Sequence, residues 1–161
     1  MGAGVPQRSR GVARGGAGGA GIVRLRIARV LLLTLGGTAV AIGAWALLAP
    51  AAWFERFPGF GRAWTAALPP YNEHLARDVG GFNLMLGALF LWAAFRLDRR
   101  IVRAVCLASL LFAVPHTVFH ALHLEGVATS DRVGQMVSLA LTVVAPLVAV
   151  WLVNAPGTRA E

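Results

Sequence analysis

Three histidines lie close together in one apolar stretch of the chain, "PHTVFHALHL" at residues 115–124. His116, His120 and His123 follow an i, i+4, i+7 spacing, which places them on one face of an α-helix. An imidazole ligates metals, donates and accepts hydrogen bonds, and carries a proton near neutral pH. Two imidazoles one helical turn apart are a common part of metal sites. The stretch therefore indicates a polar site in an apolar setting.

A second polar stretch, "YNEHLARD" at residues 71–78, carries the fourth histidine of the chain. Tyr71, His74 and Asp78 share a helical face through spacings of three and four. Asp78 can supply a carboxylate ligand to a metal, or orient a histidine by a hydrogen bond. A third polar series, Gln135, Ser138 and Thr142, repeats the helical spacing further along the chain.

The composition around these residues is that of an integral membrane protein. The chain has 161 residues, of which 57% are hydrophobic and only 14% charged, whereas soluble domains carry about a quarter charged residues. Its apolar runs have the length of about 20 residues that crosses about 30 Å of hydrocarbon. The sequence predicts an all-α, four-helix transmembrane bundle, with spans at about residues 28–49, 76–95, 101–124 and 133–153.

The ends of the chain have a different composition from the spans. Residues 1–21 are rich in Gly, Ala and Arg without apolar periodicity, which is typical of a disordered tail. The membrane domain is therefore predicted at residues 22–154, followed by a short tail at residues 155–161. The first run resembles a secretory signal followed by "APA", but its length favours an uncleaved span.

The arginines predict the orientation of the bundle. All fifteen basic residues are arginines, and eleven lie before or at the start of span 1, in the 96–103 turn, or in the C-terminal tail. The positive-inside rule then places both termini in the cytoplasm, and these arginines also favour anionic lipid. They form no basic stripe interleaved with aromatics, so a nucleic-acid partner is not indicated. The lipid bilayer is the predicted partner.

The outer segment at residues 50–70 is rich in aromatic residues. Trp53, Phe57, Phe60 and Trp64 have helical spacing, and tryptophan is favoured at headgroup depth. Because Pro58 and the glycines near it interrupt the pattern, two short pieces are expected rather than one helix. The segment is interpreted as an interfacial aromatic belt, with a lid over an outer site as the alternative.

With this orientation, all four histidines lie in the outer half of the bundle, where polar groups normally face the bundle interior. The candidate ligand-binding residues are His74, Asp78, His116, His120 and Gln135. A metal ion is a possible ligand, held by His116, His120, His74 and Asp78, and a small amphipathic molecule is the other. Structural roles stay open for each residue, including hydrogen bonds between spans near Pro115 and stabilisation of the span 2 N-terminus by Asp78.

Three further readings of the function stay open. The chain is a structural or accessory subunit of a membrane complex, or a homo-oligomer, if its histidines only bond neighbouring spans. It is a membrane enzyme on a lipid or quinone-like substrate if Asp78 and a histidine form an acid–base pair. A transporter is less favoured, since only four spans are present. The motifs of covalent haem, zinc proteases, P-loops and serine hydrolases are absent from the sequence.

The stretches "YNEHLARDVGGFNLMLGALFL" and "FAVPHTVFHALHL" resemble those of small four-helix membrane proteins of bacteria that are loosely grouped as DoxX-like. The resemblance covers roughly residues 25–153. It implies a four-helix bundle in the bacterial inner membrane, with polar groups in spans 2 and 3, and it implies no reaction. A more distant similarity is to the superfamily of sterol isomerases and the sigma-2 receptor, from which no site residue transfers.

Overall fold

The computed structural model describes residues 14–67, 70–125 and 127–156, which are mostly helical. Its elements are α1 (Arg14–Leu48), α2 (Pro50–Arg56), β1 (Pro58–Gly59), β2 (Arg62–Ala63), α3 (Glu73–Arg96), α4 (Arg99–Leu122) and α5 (Thr129–Asn154). The helices α1, α3, α4 and α5 are long and apolar enough to cross a membrane, yet only 22–28% of each apolar stretch is buried inside the protein. Apolar helices that face outward in this way require lipid around them. The predicted all-α, four-helix bundle is confirmed.

Helices α1 and α3 pack most extensively, and glycines allow it. A Cβ atom on Gly43 would lie 2.8 Å from the carbonyl oxygen of Gly80, and one on Gly80 would lie 2.7 Å from the backbone nitrogen of Leu47. Gly36 and Gly87 meet in the same way two turns along the two helices. Because lipid provides no hydrophobic driving force between helices, such close backbone contact is a main source of stability in a membrane.

The other contacts close the bundle into a ring. Helix α5 packs against both α4 and α1, while α3 and α4 pack least although a two-residue turn joins them. The main core combines side chains from all four long helices, the largest fully buried ones being Leu32, Val102, Val153, Pro146 and Cys106. Asp98 begins α4 by accepting hydrogen bonds from the backbone N–H groups of Arg100 and Ile101, as an N-cap residue does.

The two ends of the bundle differ. Arg24 donates to the carbonyl oxygen of Pro156 at 2.9 Å, and Arg29 donates to that of Ala94 at 3.2 Å. Residues 24–29 of α1 therefore lie beside the C-terminal ends of α5 and α3, and we call this the termini end. The opposite end, which carries α2, the hairpin and the connection from α4 to α5, is called the loop end.

The aromatic segment at the loop end folds into two pieces, as expected, but the second piece is not helical. Helix α2 is followed by a hairpin in which β1 and β2 pair antiparallel. Phe57 contacts Trp53 at 5.9 Å and Trp64 at 6.1 Å between ring centroids, whereas Phe60 is 98% exposed. The helical stripe through all four aromatic residues is therefore wrong. The hairpin turns Phe60 away and folds Trp64 back onto Phe57.

The helix boundaries differ by a few residues from the predicted spans. Helix α1 begins at Arg14, so residues 14–21, assigned to the disordered tail, continue the first span. Extending a helix orders one residue for each new hydrogen bond and is easier than starting one. Helix α4 ends at Leu122 rather than at residue 124. Residues 1–13 and 157–161 of the predicted tails lie outside the described residues.

Candidate functional site

His74 and Asp78 pair with each other at the start of α3. Asn72 begins this helix, its side-chain oxygen accepting a hydrogen bond from the N–H of Leu75. The Nδ1 atom of His74 lies 3.3 Å from Oδ2 of Asp78, and the two side chains are 86% and 63% exposed. The pair therefore lies on the outer surface of the helix rather than in the bundle interior.

His116 and His120 belong to a line of stacked rings along α4. Their ring centroids are 4.7 Å apart, and Phe112 stacks on His116 at 4.9 Å. Phe82, which belongs to α3, contacts Phe112 at 4.5 Å. Both histidines are half-buried. The line begins between α3 and α4 and runs towards the loop end.

A small cleft lies where this line reaches the loop end. It has a volume of about 30 Å³ and is lined by Trp64, Ala67, His120, His123, Glu125, Val127 and Gln135. Gln135 is only 6% exposed. Within the described part of the chain, its side-chain amide has no hydrogen-bond partner. The cleft therefore combines an imidazole with an amide that has no hydrogen bond within the described residues.

Residues of the hairpin hold the wall of this cleft in place. The Asp131 carboxylate, at the start of α5, accepts hydrogen bonds from the Arg62 guanidinium and, at 3.0 Å, from the indole N–H of Trp64. Trp64 also contacts α5 closely, because a Cβ atom on Gly134 would lie 2.8 Å from its ring. The indole ring thus covers the cleft from the side of the hairpin.

An apolar groove of about 290 Å³ opens between α3 and α4, where the two helices pack least. Phe82, Met85 and Leu89 line it from α3, and Val105, Ala108 and Phe112 line it from α4. Phe82 and Phe112 belong to both the groove and the line of rings. Phe112, His116 and His120 therefore follow one another along α4 from the groove to the cleft.

The structure places the predicted site residues in separate groups. His120 and Gln135 line the cleft and His116 lies next to it, but His74 and Asp78 do not line it. Among the described residues, no three His, Cys, Asp or Glu side chains come together to hold a metal ion. The candidate metal set His116, His120, His74 and Asp78 is therefore not assembled, because the carboxylate faces outward on α3.

The acid–base pair of the enzyme reading is not formed either. In the described ranges, the only histidine paired with a carboxylate is His74, whose partner is Asp78. Among the described residues, His116 and His120 form no hydrogen bond to a neighbouring span. Ser138 bonds the Gly134 carbonyl of its own helix, which leaves Gln135 as the residue of its polar series that reaches the cleft.

Sequence reasoning missed Asp131 as part of the site, and it placed Trp64 there only through the alternative in which the aromatic segment is a lid over an outer site. Their contact joins residues 67 positions apart in the sequence. The one feature of the sequence that pointed to this contact is that both residues lie on the same predicted side of the membrane.

The fold and the composition together define a multi-pass membrane protein built as a four-helix bundle. Comparison of the chain with protein-family models, with curated proteins and with solved structures gave no match. The resemblance to DoxX-like proteins therefore stays a prediction.

Proposed function

We propose that the protein binds a small amphipathic molecule at the loop end of the bundle. The polar group of this molecule occupies the cleft beside His120 and Gln135, and its apolar part follows the line of rings into the groove between α3 and α4. The observation that carries the proposal is the Gln135 amide, which lines a cleft together with an imidazole and has no hydrogen-bond partner in the described residues. Such an amide can bond a polar group of a ligand without breaking an existing hydrogen bond within the protein.

The volume of the cleft limits the size of the ligand's polar group. A cavity holds one water molecule for about 10–15 Å³ of such volume, so about 30 Å³ accommodates a hydroxyl or carbonyl group and excludes a phosphocholine headgroup. The Gln135 amide both donates and accepts hydrogen bonds, and a neutral imidazole does the same. The ligand class is therefore a long-chain alcohol, ketone or similar neutral molecule.

Thermal unfolding of the purified protein in detergent tests this proposal. Dodecanol and 2-tridecanone are expected to stabilise the protein more than dodecane, since only the first two offer a polar group to the cleft. In the variants Gln135→Leu and His120→Phe, this preference should fall by about tenfold in affinity, or about 1.4 kcal/mol. Ser138→Ala is the matched control, because Ser138 is exposed one turn further along α5.

Two results would contradict the proposal. One is equal stabilisation by dodecane and dodecanol in the unchanged protein. The other is an unchanged preference for dodecanol in both cleft variants. The accessory-subunit reading predicts instead that the variants lower thermal stability without altering any preference between the added molecules.

We also propose that the membrane is the inner membrane of a bacterium, with both termini in the cytoplasm. The support is the arginine distribution. Arg96, Arg99, Arg100 and Arg103 surround the turn between α3 and α4 at the termini end, where Asp98 is the acidic residue among the described residues. The loop end carries Arg56, Arg62, Arg77 and Arg132 together with five acidic residues. A positive excess marks the cytoplasmic side.

A further inference from the structure

The termini end of the bundle carries a cluster of arginines from two parts of the chain. The hydrogen bonds of Arg24 and Arg29 place residues 24–29 of α1 beside the ends of α5 and α3. Because α4 begins two residues after α3 ends, the turn between them lies at the same end. The described arginines that meet there, called the arginine surface below, are Arg24, Arg26, Arg29, Arg96, Arg99, Arg100 and Arg103.

The charge of the arginine surface is not neutralised by the protein. Asp98 is the acidic residue at this end of the described chain, and its Oδ1 atom accepts the backbone N–H groups that begin α4. Within the described ranges, none of the seven arginines forms an ion pair. At the loop end, by contrast, Arg62 pairs with Asp131 and Arg77 pairs with Glu73.

The individual side chains are available for an anion. Arg26, Arg96, Arg100 and Arg103 are exposed and have no hydrogen-bond partner for their guanidinium groups among the described residues. The Nε atom of Arg99 is buried and also lacks a partner. The arginine surface therefore holds several unused planar donors, which match the two-oxygen geometry of a phosphate.

The depth of these arginines points to lipid rather than to a soluble anion. The four arginines of the 96–103 turn lie where α3 ends and α4 begins, and less than a third of the apolar stretch of each long helix is buried inside the protein. Their guanidinium groups thus lie at the level of the lipid headgroups, with the aliphatic parts of the side chains reaching along the helices. Each arginine near an anionic leaflet contributes about 1 kcal/mol of attraction.

We propose that the arginine surface binds the phosphate groups of anionic phospholipids in the leaflet at the termini end, in preference to zwitterionic phospholipids. The site is separate from the cleft at the loop end and does not depend on the ligand proposed for it.

The test measures thermal unfolding in a neutral detergent with added phosphatidylglycerol, phosphatidylcholine or inorganic phosphate. Phosphatidylglycerol should stabilise the unchanged protein more than the other two additions. In the double variant Arg100→Gln/Arg103→Gln, its apparent affinity should fall by about tenfold or more, as expected for two lost phosphate contacts. The double variant Arg56→Gln/Arg132→Gln is the control, because it removes the same charge from the loop end.

Several results would overturn the proposal. They are equal stabilisation by phosphatidylcholine, equal stabilisation by inorganic phosphate alone, or the same loss in the control variant. If Arg100→Gln/Arg103→Gln does not fold, the salt dependence of lipid binding by the unchanged protein tests the proposal instead. Raising the salt concentration must then abolish the preference of the unchanged protein for phosphatidylglycerol, because screening weakens exposed ion pairs. A preference that persists in high salt contradicts the proposal that the arginine surface binds anionic lipid.

Discussion

Asp131 is the residue on which the position of the hairpin depends most. Its carboxylate bonds both Arg62 and Trp64, so one side chain ties β2 and the residue after it to the start of α5. We expect Asp131→Ala to release the hairpin and to speed trypsin cleavage after Arg62 several-fold, since cleavage follows local opening. Ser130→Ala is the control in the same turn. Equal cleavage rates in the two variants, measured by mass spectrometry, would argue against this role.

Phe60 occupies an unfavourable backbone conformation without burying its ring. Its φ is 58° and its side chain is 98% exposed. The left-handed conformation costs an ordinary residue about 1–2 kcal/mol, whereas Asn adopts it more readily. We therefore expect Phe60→Asn to raise the free energy of unfolding in detergent by about 1 kcal/mol. Phe57→Asn should lower it, because Phe57 packs between Trp53 and Trp64, and a similar loss in both variants would refute the expectation.

At the scale of single residues, the sequence predicted which side chains are neighbours on one helix better than it predicted contacts between helices. Helical spacing correctly placed His116 and His120 next to each other, since both lie on one helix. Contacts between helices depend on rotation about the helix axis, which spacing alone does not determine. For this reason Asp78 was expected near the α4 histidines and is found paired with His74 on the exposed face of α3.

Among the elements, the contact between α1 and α3 is the least tolerant of added volume. A Cβ atom on Gly80 would lie 2.7 Å from a backbone atom of α1, which cannot move aside, whereas nothing lies within 4 Å of one on Gly81. We expect Gly80→Ala to lower the free energy of unfolding by about 1–3 kcal/mol. Gly81→Ala should leave it unchanged or raise it slightly, since alanine favours helix.

The free energies of unfolding of the two glycine variants are compared by unfolding each with sodium dodecyl sulfate and monitoring the loss of helix by circular dichroism. The adjacent positions share the same helix and the same chemical change, so any difference reports the contact with α1. Equal stabilities for the two variants would mean that the helices can separate without cost.

Hydropathy predicted the long helices because apolar runs of about 20 residues have few alternatives in a bilayer. It did not predict the hairpin, whose strands have only two residues each. The turn at Phe60 and Gly61 has a positive φ at both positions, which is the two-residue turn of tight hairpins. The helical spacing of the neighbouring aromatic residues concealed this turn signal.

For the whole molecule, the two ends of the bundle have different chemical characters. The termini end combines the main core with the arginine surface, and the loop end combines the cleft, the hairpin and balanced ion pairs. The loop end also has a small buried cluster of Ala46, Trp53 and Ala76, while the groove opens between α3 and α4, which pack less closely than the other neighbouring long helices. The residues that line the cleft do not belong to the main core, whereas Val105 belongs to both the core and the groove.

The orientation of this asymmetric bundle in the membrane is open to a direct test. Cys106 is the only cysteine and is fully buried, so the unchanged protein should not react with a membrane-impermeant maleimide. In intact bacterial cells, we expect the reagent to label Ser130→Cys at the loop end. It should label Asn154→Cys at the termini end only after the cells are permeabilised. The reverse pattern would place the arginine surface outside the cell, against the positive-inside rule.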